Sequence, residues 1–154
     1  MLDNVYYTYR IPPLNVNPLR SVKKEQKLYL WNWSLPQEDS IRFENMVAGH
    51  LLKWVHRRQD GFGEEWGLRY FKDTTGREVD FILMLDEIPK LLLETKFSDV
   101  DIHPPLKYLK ERLPITETWQ VYFKGKKDYE TPNKIRVSSF SNFWKEWLER
   151  YPMF

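Results

Sequence analysis

Four residues in this chain have the type and spacing to gather a divalent cation with an ammonium group beside it: Glu44, Asp80, Glu94 and Lys96. Asp80 sits inside Gly76-Arg77-Glu78-Val79-Asp80-Phe81-Ile82-Leu83, and Glu94 follows Leu91-Leu92-Leu93 and precedes Thr95-Lys96. Runs of this composition read as strands, and a carboxylate inside an apolar strand is costly unless it has a partner. The link Asp86-Glu87-Ile88-Pro89 reads as a turn, so the two runs are expected to pair as an antiparallel hairpin. Folding about Glu87 puts Asp80 opposite Glu94, with Lys96 two residues beyond Glu94 on the same face. Like charges placed opposite one another on a sheet repel. A divalent cation with an ammonium group beside it would relieve that repulsion.

A third carboxylate comes from an upstream helix. Over residues 40–58, Ile41, Val47, Ala48, Leu51, Trp54 and Val55 recur at helical spacing. Glu44 lies within this apolar stripe, one turn before Val47 and Ala48, where an unpaired charge is unfavourable.

A lone Asp on one strand and Glu-x-Lys on the next resembles the active site of the PD-(D/E)XK nuclease superfamily, many of whose members add a Glu from an upstream helix. A longer resemblance runs from about residue 27 to about residue 99. Lys27-Leu28-Tyr29-Leu30-Trp31-Asn32-Trp33-Ser34, Arg42-Phe43-Glu44-Asn45, His50-Leu51-Leu52-Lys53, residues 76–81 and residues 94–96 are together similar to the C-terminal domain of unknown function of a prokaryotic AAA-type ATPase family. Asn32 stands where many relatives have Asp, Val79 precedes Asp80 where a Pro-Asp pair is common, and the Gln-x-x-x-Tyr helix motif of RecB-like nucleases is missing.

The resemblance implies an α/β fold with a PD-(D/E)XK (restriction-endonuclease-like) core, a central mixed sheet flanked by helices. It also implies Mg²⁺ or Mn²⁺ held by Asp80, Glu94 and the backbone carbonyl of Thr95, with Glu44 binding a second ion or orienting a water. Lys96 would assist the attacking water, and the substrate would be a DNA phosphodiester. The alternative is a non-catalytic regulatory or DNA-binding domain associated with an AAA-type ATPase module in cis or trans. This chain has no G-x-x-x-x-G-K-[ST] loop with which to bind ATP itself.

The composition suits a compact enzyme domain. A chain of 154 residues with 42% hydrophobic and 16% aromatic residues can bury one real core. With no cysteine, disulfide scaffolds, thiol nucleophiles and cysteine-ligated zinc are excluded. A net charge of +2 neither requires nor forbids nucleic acid, because patches matter more than totals. No run reaches transmembrane length and no apolar signal core is evident, so a cytoplasmic location without membrane association is expected.

Residues 1–26 read as an irregular, basic, proline-punctuated extension, with breaks at residues 9–13 and 15–18 and Lys23-Lys24 opening a basic segment; this looks like the seam of a larger protein. Residues 27–154 read as one domain. Residues 27–33 suggest a strand, and Ser34-Leu35-Pro36-Gln37 has capping-box spacing, which places a helix start nearby. The long helix is expected to end around Gln59, before Gly61 and Gly63. Strands are expected at about 66–71, 78–85 and 90–97, with Asp73-Thr74-Thr75-Gly76 as the first turn. Pro104-Pro105 then opens a helix with Leu106, Leu109 and Leu113 on its apolar face. Strands at 118–123 and 134–140 and an amphipathic helix burying Phe143, Trp144, Trp147 and Leu148 complete the chain. The resulting order, α-β-β-β-α-β, is that of the nuclease core.

The remaining polar and aromatic residues have less specific readings. His50, His56 and His103 are too scattered for a zinc site; His56 reads as a solvated helix residue, and His103 as a helix cap rather than a cleft residue. Trp66 and Trp119 read as packing residues that would stack on bases only if exposed. Lys124-Gly125-Lys126-Lys127 reads as a solvated loop with a phosphate contact as the alternative, and Arg77 as an exposed turn charge with the same alternative.

Overall fold

The computed structural model describes residues 7–15 and 25–154. Among these residues the structure is mixed α/β, with three helices and a six-stranded mixed sheet. A small ribbon, β1 (Thr8–Ile11) and β2 (Lys27–Leu30), precedes the long helix α1 (Asp39–Phe62). The strands β3 (Trp66–Lys72), β4 (Glu78–Leu85) and β5 (Ile88–Ser98) follow, then the short helix α2 (Pro104–Lys110). The chain continues through β6 (Glu117–Lys124), β7 (Tyr129–Glu130) and β8 (Arg136–Ser139) into α3 (Phe140–Arg150).

In the main sheet the strand order is β3-β4-β5-β6-β8-β7. β3, β4 and β5 form an antiparallel meander, whereas β5–β6 and β6–β8 pair in parallel. Parallel neighbours need a crossover, and α2 supplies the one between β5 and β6. Two cores result. Phe81, Leu83, Leu91, Leu93, Trp119 and Val121 pack with α1 and α3 on one face, and Val79, Ile82, Met84 and Leu92 pack with Leu106 and Leu109 of α2 on the other. Trp66 and Trp119 are buried in the first of these cores and serve packing.

The β4–β5 hairpin departs from regularity in ways that matter below. Its turn is the two-residue link Asp86-Glu87, both residues with positive φ (51° and 62°), between the paired Leu85 and Ile88. A register shift follows, with Met84 opposite Pro89 but Leu83 opposite Leu91, so Lys90 is an extra residue on β5. A second shift lies between β3 and β4, where Arg69 pairs with Ile82 and Phe71 with Val79, leaving an extra residue on β4 at Asp80-Phe81. Such bulges redirect side chains and increase local twist.

Several expected boundaries move. Thr8–Ile11, inside the segment read as irregular, is a strand whose Tyr9 and Ile11 are buried in the α1-side core. Tyr70 bonds the segment after β1 on both sides, its carbonyl accepting from Leu14 N–H (2.7 Å) and its N–H donating to the Pro12 carbonyl (3.2 Å), which covers the β3 edge. The breaks at 16–18 and the Lys23-Lys24 pair lie outside the described residues. β2 ends at Leu30, because Asn32 Oδ1 accepts from Ser34 N–H (3.2 Å) and Ser34 Oγ (2.6 Å) to form a turn. Ser34 is thereby spent on Asn32 and caps no helix; α1 begins at Asp39. It runs past Gln59 to Phe62, and Gly63 closes it in the left-handed conformation (φ 66°), the conformation only glycine adopts without cost. Ile41 is exposed, and Phe43 takes its place in the core.

Candidate functional site

The site lies where the β4–β5 ladder opens. Its last backbone pair is Phe81 with Leu93, and beyond it side chains bridge the strands. Thr95 donates its backbone N–H (2.9 Å) and its hydroxyl (2.7 Å) to Asp80 Oδ2, while the Asp80 N–H donates to Glu94 Oε2 (3.1 Å). Asp80 and Glu94 are therefore level, as the sequence spacing predicts, and each is tied to the other strand's backbone.

Their carboxylates lie close enough to repel, yet they differ in their other neighbours. Thr95 is level with Val121 of the α1-side core, whereas Glu94 is level with Gln120, which accepts a hydrogen bond from His103 N–H at the start of α2 (2.8 Å). The Asp80 carboxylate, on the β4 bulge, meets Thr95 and Lys27 of β2. The Glu94 carboxylate instead meets Lys96 Nζ (2.8 Å) and His103 Nε2 (3.5 Å). The bulge at Asp80-Phe81 accounts for this difference, since one extra residue redirects a side chain.

Lys27 and Glu78 enlarge the constellation beyond the four residues read from sequence. The Lys27 ammonium lies 2.6 Å from Glu44 Oε1, 2.8 Å from Glu78 Oε1 and 3.6 Å from Asp80 Oδ1. Tyr29 OH donates to the same Glu44 oxygen (2.7 Å), and Lys72 lies 3.4 Å from Glu78 Oε2. Tyr29 follows Lys27 by two on one strand, so both reach α1 from one face, a pairing the strand period makes readable once β2 is placed beside α1. Asn45 fixes that placement by accepting from Leu30 N–H at 2.9 Å and donating to the Ile41 carbonyl at 2.8 Å.

His103 occupies the N-cap position of α2, but its side chain makes no cap bond. Its ring lines the site instead, with Nε2 2.7 Å from the Glu78 carbonyl oxygen. Arg77 pairs with Asp73 (2.6 Å) and stacks on Tyr108, which satisfies it as a structural residue of the turn. The Lys124–Lys127 loop is exposed, and the Lys126 and Lys127 N–H groups donate to Asp99 Oδ2. His50 Nδ1 contacts the Met46 carbonyl, and His56 is exposed.

The electrostatics follow from burial. Desolvation, and then the neighbouring Glu94 and Glu44, push the Asp80 carboxyl up to about 8. Burial also raises Glu94, although Lys96 opposes the shift. For Lys27, burial alone would lower the pKa, but Asp80 and Glu44 overcome it and hold the ammonium above its ordinary range. Burial likewise works against Glu78, which the hydrogen bond and charge of Lys27 nevertheless keep below the usual carboxylate range. Burial lowers His103, which favours the neutral ring.

These groups suit a hard divalent cation in kind. Glu44, Glu78, Asp80 and Glu94 offer oxygen donors, and these four carboxylates outnumber the three ammonium groups of Lys27, Lys72 and Lys96 beside them. Among the described residues, however, no group of three or more His, Asp or Glu is gathered as a metal-binding set. Lys27 stands among three of the carboxylates, and Thr95 engages one Asp80 oxygen.

A family model matches residues 41–143, a span that includes Glu44, Asp80, Glu94 and Lys96. The chain belongs to the DUF4143 family, a domain of unknown function. No curated protein matches it, and neither does any solved structure. Among the described residues of this DUF4143 domain, no helix is long and apolar enough to cross a membrane.

Proposed function

We propose that this DUF4143 domain hydrolyses nucleic-acid phosphodiesters with Mg²⁺ or Mn²⁺ at a PD-(D/E)XK-like site. One observation carries the proposal: Glu44 of α1, Asp80 of β4, and Glu94 and Lys96 of β5 belong to one connected network at the open end of the β4–β5 ladder. The element order supports it, with a helix, an antiparallel meander, a crossover helix and a parallel strand in sequence. DNA as the substrate follows from the sequence resemblance, as does association with an AAA-type ATPase module.

Asp80, Glu94 and the Thr95 carbonyl would hold the ion. The bound cation would supply positive charge to the phosphoryl oxygens as negative charge develops there. Lys96, 2.8 Å from Glu94, would orient the attacking water through its ammonium. Glu44, held by Tyr29, would bind a second ion with Asp80 or orient the water.

A second reading, a non-catalytic regulatory or DNA-binding domain, is favoured by the Lys27 contacts, which neutralise Glu44 and Glu78 without any ion. Assays on plasmid, single-stranded and branched DNA with Mg²⁺ or Mn²⁺ distinguish the two. Cleavage by the wild type that is lost in Asp80→Asn supports hydrolysis. DNA binding without cleavage of any substrate, even with an ATPase partner added, supports the second reading.

A further inference from the structure

We infer that Lys27 is an internal competitor for the divalent cation, so that an ion reaches Glu44 and Asp80 only as the Lys27 ammonium leaves them. This rests on the metal-dependent reading above and adds a positioning residue that the sequence motif does not contain. Nζ contacts carboxylate oxygens from two elements, at 2.6 Å (Glu44, α1), 2.8 Å (Glu78, β4) and 3.6 Å (Asp80, β4). These contacts face the same region that a cation shared by Glu44 and Asp80 would fill. A small divalent ion demands oxygen ligands at about 2.0–2.6 Å and cannot share them with an ammonium group seated there.

The ammonium is also tethered. β2 is paired with β1 and bonded to α1 through Asn45, Tyr9 stacks on Tyr29 with centroids 5.7 Å apart, and Tyr70 OH donates to the Glu25 carbonyl. The faces of Tyr29 and Tyr70 lie 5.6 and 5.9 Å from Nζ and add cation–π attraction. A tethered group competes at an effective concentration that a free ion must exceed. Lys96 has a different position: it pairs with Glu94 on the α2 side and contacts neither Glu44 nor Asp80. Removing Lys27 is therefore not equivalent to removing any one positive charge. Lys72 provides the control, because among the site's carboxylates it touches Glu78, at 3.4 Å, and neither Glu44 nor Asp80.

The test uses Mn²⁺ alone, without nucleic acid, and measures bound ion by electron paramagnetic resonance. Lys27→Met should bind Mn²⁺ at least about tenfold more tightly than wild type, equivalent to about 1.4 kcal/mol. The gain should vanish in Lys27→Met/Asp80→Asn, and Lys72→Met should show little of it. Lys27→Arg, which keeps the charge, should remain near wild type and guards against an effect of misfolding, as does comparison of near-ultraviolet circular dichroism across the variants. Mn²⁺ binding of equal strength in wild type and folded Lys27→Met would overturn the role of Lys27 while leaving the metal-dependent reading in place. So would an equal gain in Lys72→Met. No binding in either wild type or folded Lys27→Met would overturn both.

Discussion

Thr95 gives two hydrogen bonds to a single oxygen of Asp80, one from its backbone N–H and one from its hydroxyl, at 2.9 and 2.7 Å. Where the regular ladder stops, this pair joins β4 to β5. Both residues are buried, so a lost donor cannot be replaced cheaply by water. Thr95→Val keeps the shape and removes the hydroxyl, and should cost about 1–3 kcal/mol in a urea unfolding titration. Thr95→Ser keeps the hydroxyl and should cost less. A Thr95→Val variant as stable as wild type would show that the hydroxyl contact to Asp80 contributes nothing.

The turn that sets this register carries conformational cost. Asp86 and Glu87 both have positive φ, and glutamate is poorly suited to it. Asn-Gly is the sequence this two-residue turn favours. Asp86→Asn/Glu87→Gly should therefore raise stability by about 1 kcal/mol, seen as a melting temperature a few degrees higher. A lower melting temperature would mean that the Asp86 or Glu87 side chain contributes more than the backbone gains.

Much of this arrangement was legible in the sequence. The hairpin, its apolar faces and the level placement of Asp80 and Glu94 follow from strand period and turn chemistry. The reason for that placement is less direct, because a two-residue turn alone would set Asp80 level with Leu93 and the extra Lys90 on β5 moves it to Glu94. The bulge at Asp80-Phe81 was not legible. A bulge leaves no mark in composition, yet it redirects the Asp80 side chain. Lys27 was missed because its partners lie on α1 and β4, and nothing local ties a strand before a helix to carboxylates after it. Its place before Pro104 makes His103 a cap by local preference, but its ring is held by the Glu78 carbonyl, a tertiary contact that local preference does not encode.

The Asp80 carboxyl has a direct consequence for stability against pH. Its pKa in the folded protein is raised to about 8, chiefly by burial, above the unfolded value near 4. In that window the folded state binds the proton more tightly than the unfolded state. The stability associated with the protonated group is complete at low pH and is lost as pH rises through about 8, at up to about 1.4 kcal/mol per pH unit. Glu94 is raised as well and acts in the same direction. Glu78 and His103 are lowered, so their contributions grow as pH rises through their unfolded values. Comparing wild type with Asp80→Asn isolates the Asp80 contribution. Without divalent ions, melting temperatures between pH 5 and 9 should fall more steeply for wild type than for Asp80→Asn. Parallel curves would show that Asp80 titrates alike in both states.

The final prediction separates chemistry from binding through Lys96. Its ammonium meets Glu94 Oε1 at 2.8 Å and approaches neither Glu44 nor Asp80, so it stands beside the proposed ligands without being one. If the domain is a nuclease, Lys96→Met should lower cleavage by about 10²–10⁴-fold, the range expected for a lost proton-transfer or water-orienting group. Mn²⁺ affinity should hold near the wild-type value. Asp80→Asn should lose both cleavage and metal binding. DNA affinity should survive in Lys96→Met and fall steeply with added salt in wild type and variant alike, because phosphate contacts release counterions. Cleavage that persists in Lys96→Met would remove the lysine from the reaction. Loss of Mn²⁺ binding in the same variant would instead make its role one of shaping Glu94, which is buried and would then lack the cation that opposes its raised pKa.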